Sequence, residues 1–356
     1  MINIDKNLLK KLCLAFGPSG NEDEVRNIII DEIKDFADDY YTDKVGNLIA
    51  FKKGEKTPEK KRLFAAHMDE VGFMITSVGD DGYLKFRSLG GIENTVMLGK
   101  QAIIGEKRLP AVFGGKPVHL LKKDEKDKVR SIDDIYLDIG VIKKDKNKKN
   151  IKEKKDEPKL DKLDEVGDFA TFKSDFVEFG QDKNKIKCKA IDDRFGCYVM
   201  IEMLKSKLSY DSYFAFTICE EIGLRGAKTA ANIINPDVAV IFEATTAGDI
   251  YDKTEKNKVC SLGNGAVISI MDNSAIYDKK LISLALDTAK NNNVKTQLKQ
   301  AVAGGNESGA YQKSGKGVEV LAISLPTRYI HSPSCVADFG DMLECLRLAK
   351  EIEKVL

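Results

Sequence analysis

Apolar positions in the C-terminal half of the chain alternate between two patterns. Strand-like apolar runs occur at residues 213–219, 238–242 and 318–325, and stretches with helical spacing separate them at residues 227–234 and 279–291. Such alternation is typical of a sheet whose strands are joined by helices packed on its faces. The pattern therefore predicts an α/β fold with a mixed sheet flanked by helices.

Two helices are predicted at the N-terminal end. Residues 5–16 have helical apolar spacing, and the Asp5 side chain is the expected N-cap of their first turn. The sequence Gly17-Pro18-Ser19-Gly20 predicts a tight turn. Asn21 is then the expected N-cap of a second helix over residues 22–36.

Residues 71–166 differ from the rest of the chain. They consist of short β-like pieces separated by turns, which predicts a small inserted all-β domain. Residues 168–177 and 185–190 are expected to return as strands to the main domain, which then comprises residues 1–70 and 167–356. Residues 143–155 carry eight lysines and two acids without aromatic residues or arginines, which favours a solvated loop over a nucleic-acid patch.

The composition bears on the classes of partner to be expected. Lys and Arg number 57 against 56 Asp and Glu, so the charge balance favours no polyanion such as nucleic acid. No apolar stretch approaches the roughly 20 residues that span a bilayer, so no membrane association is expected. Seven cysteines without close CxxC spacing favour free thiols and a cytoplasmic location.

Metal-competent side chains stand at the ends of several predicted strands. They are His67 and Asp69, Asp192 and Asp193, Glu220 and Glu221, Glu243, and His331. Singly, each has a simpler explanation: a histidine is more often structural, and Asp192 could be only a helix N-cap. The carboxyl ends of strands in an α/β sheet form one edge, however, and two of only three histidines fall there.

This set of side chains favours metal chemistry. Imidazoles and carboxylates suit Zn²⁺, Co²⁺ or Mn²⁺, and two histidines with three carboxylates suffice for two ions about 3.5–4 Å apart if one carboxylate bridges them. Cys219 could be considered as a nucleophile, but a strand cysteine beside Ile218 is more often a packing residue.

At this point the chain resembles the M42 metalloaminopeptidases, whose members are named glutamyl aminopeptidases or, in older usage, endoglucanases. The resemblance covers most of the chain and rests on four motifs in the expected order. These are His67-Met68-Asp69-Glu70-Val71-Gly72-Phe73-Met74, Asp192-Asp193-Arg194, Glu220-Glu221-Ile222-Gly223-Leu224-Arg225-Gly226-Ala227 and Arg328-Tyr329-Ile330-His331-Ser332-Pro333.

The resemblance implies a ligand set for two divalent ions, with Zn²⁺ the first choice. His67 and His331 would be terminal ligands, one on each ion, and Asp192 would bridge the two ions. Its peptide bond to Asp193 is a candidate for the cis form. Glu221 would be a further terminal ligand. Glu243 stands at the last ligand position, where the family pattern has Asp, so the side chain is one methylene longer.

The resemblance also implies catalytic roles. Glu220 would be the general base, and Asp69 would fix the tautomer of the His67 imidazole. Asn306-Glu307 stands where the family often has a Thr-Asp pair, a difference that bears on the substrate pocket. The implied fold is a zinc-peptidase-like catalytic domain, and the inserted β domain would mediate dimerisation and assembly into a dodecamer that admits short peptides.

The expected activity is removal of N-terminal residues from short peptides. Two alternatives stay open: a glycosidase that uses Glu220 with a second acid, and a non-catalytic metal-binding scaffold. The first leaves His67 and His331 without a role, and the second gives Glu220 none. The preferred N-terminal residue does not follow from the sequence.

Overall fold

The computed structural model describes residues 3–79, 82–123, 128–140, 166–250, 258–302 and 304–356. These residues form two compact units. The first unit takes in the described residues up to Glu70 and those from Asp175 to Leu356, and the second extends from Val71 to Ser174. The lysine-rich run 143–155 lies outside the described residues.

The strands and helices are numbered in chain order. The strands are β1 (Asp39–Thr42), β2 (Leu48–Lys52), β3 (Arg62–His67), β4 (Gly72–Val78), β5 (Tyr83–Leu89), β6 (Gln101–Ile104), β7 (Leu109–Gly115), β8 (Ile135–Asp138), β9 (Phe169–Phe172), β10 (Val177–Phe179), β11 (Lys185–Cys188), β12 (Ser212–Thr217), β13 (Val238–Thr246), β14 (Ala266–Ile268), β15 (Thr296–Leu298), β16 (Glu319–Thr327) and β17 (Cys335–Asp338). The helices are α1 (Lys6–Leu14), α2 (Asp23–Ile33), α3 (Asn94–Met97), α4 (Ile191–Leu204), α5 (Arg225–Ile234), α6 (Lys279–Asn291), α7 (Ser308–Gln312) and α8 (Phe339–Glu353).

The first unit is built on an eight-stranded mixed sheet in the order β1-β2-β12-β3-β13-β16-β14-β15. The four central strands β12, β3, β13 and β16 are parallel. Successive residues of β3 point to opposite faces: Leu63 and Ala65 join one buried cluster, Phe64 and Ala66 the other. Helices cover both faces, as expected for parallel strands buried on both sides. The predicted mixed α/β fold is confirmed.

Aspartates begin three of the helices. The Asp5 side chain accepts the backbone N–H groups of the first turn of α1, as predicted, and Asp278 and Asp338 do the same for α6 and α8. The second helix is present as α2, but the prediction of its N-cap residue was wrong. Its N-cap position is occupied by Glu22 rather than Asn21, and the Glu22 side chain makes no capping hydrogen bond.

A separate three-stranded sheet, in the order β10-β11-β17, also belongs to the first unit. Strand β11 pairs with β17 in antiparallel fashion, with Cys188 opposite Cys335. This corrects one expectation. The strand that precedes Asp192 was expected in the main sheet, but it lies in this smaller sheet.

The second unit is a closed barrel in the order β4-β5-β8-β7-β6-β9. Phe73 lies at the centre of an aromatic core, with ring centroids 5.2, 4.7 and 5.1 Å from those of Phe86, Phe113 and Phe172. The segment Phe169–Phe172, expected in the main domain, instead pairs with β4 and β6 in the barrel. The second boundary therefore falls after Ser174 rather than after residue 166.

Two further findings bear on the sequence expectations. Among the described helices, none combines the length and apolarity needed to cross a bilayer.

All seven cysteines are buried and free. Burial raises the pKa of the Cys219 thiol to about 12, so this thiol stays protonated at neutral pH and is a poor nucleophile.

Candidate metal centre

One edge of the main sheet carries four of the predicted side chains. His67 is the last residue of β3 and lies opposite Thr217, the last residue of the parallel strand β12. Glu220 and Glu221 follow β12 after a short turn. Glu243 lies within β13, which continues to Thr246 and not only to Phe242 as the apolar run suggested. Parallel strands thus bring these side chains to the same edge.

Asp192 and His331 reach the same place from outside the main sheet. Asp192 stands in the first turn of α4, where its φ and ψ of −83° and 110° are not helical. The Asp192–Asp193 peptide bond is cis, as the family resemblance implied. His331 lies in the loop between β16 and β17 and has a positive φ of 61°. Irregular backbone therefore places both side chains.

The carboxylate of Asp192 lies between the two histidines. Its Oδ1 is 3.4 Å from His67 Nε2, and its Oδ2 is 3.5 Å from His331 Nε2. Glu243 Oε2 lies 3.8 Å from the same His67 nitrogen, and Glu221 Oε1 lies 3.2 Å from His331 Nε2. Ligand atoms in each of two groups, His67–Asp192–Glu243 and Asp192–Glu221–His331, lie within 4.8 Å of one another. Asp192 belongs to both groups.

The donor atoms fit divalent cations. Asp192 Oδ1 and Glu243 Oε1 are buried and have no hydrogen-bond partner within the part of the chain that the structure describes. Burial raises the pKa of Glu243 well above its usual value, although His67 opposes the shift. Buried acceptors of this kind are costly unless they are paired or bind a cation. Nitrogen and oxygen donors without thiolates suit Zn²⁺, Co²⁺ or Mn²⁺.

Neighbouring carboxylates, Asp192 among them, raise the pKa values of both histidines. Burial alone would lower the pKa of His331, but its hydrogen bonds to Asp192 and Glu221 raise the pKa to about 11. For His67, too, burial opposes protonation, and the adjacent carboxylates of Asp192 and Asp69 raise the pKa well above 6.5. The surroundings of both imidazoles therefore favour a positive charge, which a metal ion can supply in place of the proton.

The family model of the M42 glutamyl aminopeptidases matches residues 46–348. The chain belongs to the M42 family. A lysyl aminopeptidase of Pyrococcus furiosus is 31% identical over 357 residues, covering 98% of this chain and 96% of that protein. A TET aminopeptidase from the marine sediment archaeon Thaumarchaeota archaeon SCGC AB-539-E09 is 31% identical with a TM-score of 0.89, covering 98% and 96% of the two chains. The TET1 peptidase of Pyrococcus horikoshii, described as assembling into a tetrahedron or a large octahedral shell, is 33% identical with a TM-score of 0.82, covering 98% and 99%.

Membership of the M42 family decides the class of reaction. The chain is a peptide hydrolase of the aminopeptidase type, and M42 aminopeptidases are metal-dependent. The glycosidase and scaffold alternatives receive no support from these relatives. The family description names a glutamyl residue and the Pyrococcus furiosus relative a lysyl residue at the substrate N-terminus. Family membership therefore leaves the preferred N-terminal residue open.

Asp69 makes several hydrogen bonds at this M42 site. His67 Nδ1 lies 3.1 Å from its backbone oxygen and 3.4 Å from its Oδ1, so Nε2 is the nitrogen that faces Asp192. Its carboxylate accepts the backbone N–H groups of Glu220 and Glu221 at 3.0 and 3.2 Å and the Ser19 hydroxyl at 2.5 Å. Asp69 thus contacts both strand ends.

Glu220 lies close to the candidate ligands. His67, Glu220 and Glu221 form a third group, in which one potential ligand atom from each residue lies within 4.8 Å of the other two. Burial raises the pKa of Glu220 well above its usual value; His67 opposes this shift, and the neighbouring Glu221 and Asp69 add to it. The side chain can therefore hold a proton close to the candidate ligands.

Three buried side chains at this M42 site had no assigned role from the sequence. Glu307 is fully buried and accepts the Thr217 hydroxyl at 2.5 Å, so it is held against the end of β12. Burial raises its pKa to about 7. Ser19 and Glu22 are also buried, in a stretch whose glycines and proline indicated only a turn. Their contacts join segments far apart in sequence, so no local pattern reveals them.

Proposed function

We propose that this protein is a dinuclear metal-dependent aminopeptidase that removes N-terminal residues from short peptides. The observation that carries the proposal is the position of Asp192, with one carboxylate oxygen toward each histidine. His67, Asp192 and Glu243 would hold one cation, and Asp192, Glu221 and His331 the other. When bound, two such ions, Zn²⁺ first and Co²⁺ or Mn²⁺ as alternatives, polarise a carbonyl and make water a nucleophile near neutral pH.

Glu220 is the proposed general base. It would take a proton from the attacking water and return that proton to the leaving amine. Its burial and raised pKa support this role, because a carboxylate must hold the proton between the two transfers. Asp69 would keep Glu220 in place through the Glu220 N–H and would keep the His67 tautomer that presents Nε2.

We also propose a homo-oligomer. The TET1 relative is described as assembling into a tetrahedron or a large octahedral shell, and the PhTET1-12s structure, 33% identical to this chain, is described as a dodecamer. By this analogy the chain would form dimers that assemble into a dodecamer, with the barrel unit at subunit contacts. The free, buried cysteines are compatible with the proposed cytoplasmic location.

A panel of aminoacyl-anilides tests the reaction. The protein loaded with Zn²⁺, Co²⁺ or Mn²⁺ is expected to release the anilide from free lysyl, glutamyl or leucyl substrates. It should not act on the N-acetylated forms. A chelator is expected to abolish the activity, and added metal to restore it. Turnover that resists chelation, or equal turnover of acetylated substrates, would contradict the proposal.

Glu220→Gln tests the role of the base. The variant is expected to keep two ions per subunit and to lose at least about 100-fold in kcat, since it cannot accept the proton. Glu319→Gln, an exposed position at the start of β16, is the matched control and should keep the wild-type kcat. Full turnover by Glu220→Gln would remove Glu220 from the mechanism while leaving the metal site intact.

A further inference from the structure

The segment from Gly17 to Glu22, here called the N-terminal turn, lies against the centre of the site. Ser19 N–H donates to the Glu70 carbonyl at 3.2 Å, and Glu70 N–H donates to the Gly17 carbonyl at 2.9 Å. The Ser19 hydroxyl donates to the Asp69 carboxylate. The turn is therefore fixed to the segment that follows β3.

Glu22 is a buried acid with an unusual set of partners. Its side chain is only 2% exposed and occupies the N-cap position of α2 without capping the helix. Instead its Oε1 accepts the backbone N–H of Gly20 at 2.7 Å and that of Cys219 at 3.2 Å. Burying a carboxylate costs free energy, and these hydrogen bonds repay part of that cost.

Cys219 immediately precedes the proposed general base. Its φ of 53° is in the left-handed region, which is sterically unfavourable for a residue other than glycine. Such a conformation persists only where surrounding contacts hold it. Glu22 holds the N–H of Cys219 itself, and Asp69 holds the next two N–H groups, those of Glu220 and Glu221. Three consecutive amides are thus fixed by two buried carboxylates.

We infer that Glu22 is a positioning residue for the general base, acting as the hydrogen-bond acceptor that keeps the loop from Cys219 to Glu221 in its left-handed turn. The inference rests on the proposed role of Glu220. Without this acceptor the Cys219 N–H would be buried and unpaired, and the turn could relax to an ordinary conformation. Glu220 would then move relative to His67 and Asp192.

Glu22→Met removes the acceptor while keeping most of the side-chain volume. In the metal-loaded enzyme we expect kcat to fall about 10- to 100-fold, because a displacement near 1 Å of a catalytic group has effects of this size. KM and the metal content should stay close to wild type. Glu22→Gln should retain most of the kcat, since its amide oxygen can accept the same two N–H groups.

Several outcomes would overturn the inference. An unimpaired kcat in Glu22→Met would show that the loop does not need this acceptor, even if the melting temperature fell. A loss in Glu22→Gln as large as in Glu22→Met would show that the charge matters, not the acceptor. If Glu22→Met does not fold, Glu22→Asp carries the test, because its shorter side chain cannot reach both amides, and a wild-type kcat there would contradict the inference.

Two controls separate this inference from the proposed function. Glu24→Met changes an exposed acid on the same helix and should leave kcat unchanged. Glu220→Gln, measured in parallel, tests the base itself. Loss of turnover in Glu220→Gln with none in Glu22→Met would defeat the positioning role alone. Full turnover in Glu220→Gln would defeat the proposed base assignment.

Discussion

Glu243 approaches His67 with a side chain one methylene longer than the aspartate of the family pattern. Its Oε2 lies 3.8 Å from His67 Nε2, whereas Asp192 Oδ1 lies 3.4 Å from the same nitrogen. Its other oxygen is buried without a partner in the described structure. The longer side chain therefore still delivers a carboxylate to the group it was predicted to join.

Shortening this side chain should weaken one metal position. In Glu243→Asp the carboxylate can no longer reach as far from β13, and we expect the affinity for one of the two proposed ions to fall at least about tenfold. Metal content after dialysis at limiting Zn²⁺ should drop from two ions per subunit toward one. Glu319→Asp, on the neighbouring strand β16 but exposed, is the control. Two ions retained at unchanged affinity would mean that Glu243 is not a ligand.

The residues that could be predicted are those whose chemistry is visible locally. His67 and Glu221 are metal-competent side chains at the ends of apolar runs, so the sequence alone identifies them as candidate ligands. Glu22 gave no such signal, because Asn21 is by type the better N-cap and the partner of Glu22 lies on Cys219. A contact between distant segments has no periodicity by which it can be recognised.

At the level of elements, a buried ion cluster joins the segment after β3 to the segment before α4. Glu70 pairs with Lys189, whose Nζ also donates to the Ala15 carbonyl at 2.9 Å. Arg194 Nη2 lies 3.5 Å from the same Glu70 carboxylate and donates to the Gly17 carbonyl at 3.0 Å. Lys189 and Arg194 stand on either side of Asp192, so this cluster fixes the strand-to-helix turn that carries it.

Breaking this ion cluster should lower the free energy of unfolding. Lys189→Met removes the nearer of the two cationic side chains that contact Glu70, and removing one partner of a buried pair typically costs about 3–5 kcal/mol. We expect a loss of that order in the free energy of unfolding, measured by denaturant titration. Lys187→Met, at a partly exposed lysine in β11 two residues earlier, should cost far less. Equal losses in the two variants would contradict a specific role for the cluster.

The strands themselves were largely predictable, but their partners were not. An apolar run identifies a strand without naming the strand it pairs with. The strand Lys185–Cys188 therefore looked like part of the main sheet although it pairs with Cys335–Asp338. Phe169–Phe172 likewise looked like a return to the main domain although it closes the barrel. In both cases the deciding hydrogen bonds join strands distant in sequence.

For the whole molecule, an almost neutral net charge hides a strong local imbalance. The chain has a formal charge of +1, yet the site gathers several carboxylates, of which Asp69, Asp193 and Glu243 are buried. Burial raises the pKa of Glu221, although His331 opposes the shift. The protein without bound cations should therefore be less stable than the loaded protein.

The pH dependence of this difference has a definite sign. A group whose pKa is raised by folding contributes stability that is lost as the pH rises. For His331 this contribution is complete below about pH 6.5 and declines toward pH 11. The carboxyl groups with raised pKa values act in the same direction from about pH 4.5 upward. A chelator should thus lower the melting temperature more at pH 8 than at pH 6, as measured by calorimetry with and without restored Zn²⁺. A smaller decrease at pH 8 would contradict this account.

The wide spacing of the site along the chain has a consequence for biosynthesis. A ribosome delivers the turn that holds Asp69 and Cys219 long before it delivers His331. Ser19 and Glu22 can therefore form these hydrogen bonds only after Asp69 and Cys219 have been synthesised. His331, the last candidate ligand, follows all the strands of the eight-stranded sheet. Contacts this distant in sequence form slowly. A nascent chain consequently lacks the complete set of candidate ligands until the segment that carries His331 has been synthesised and folded.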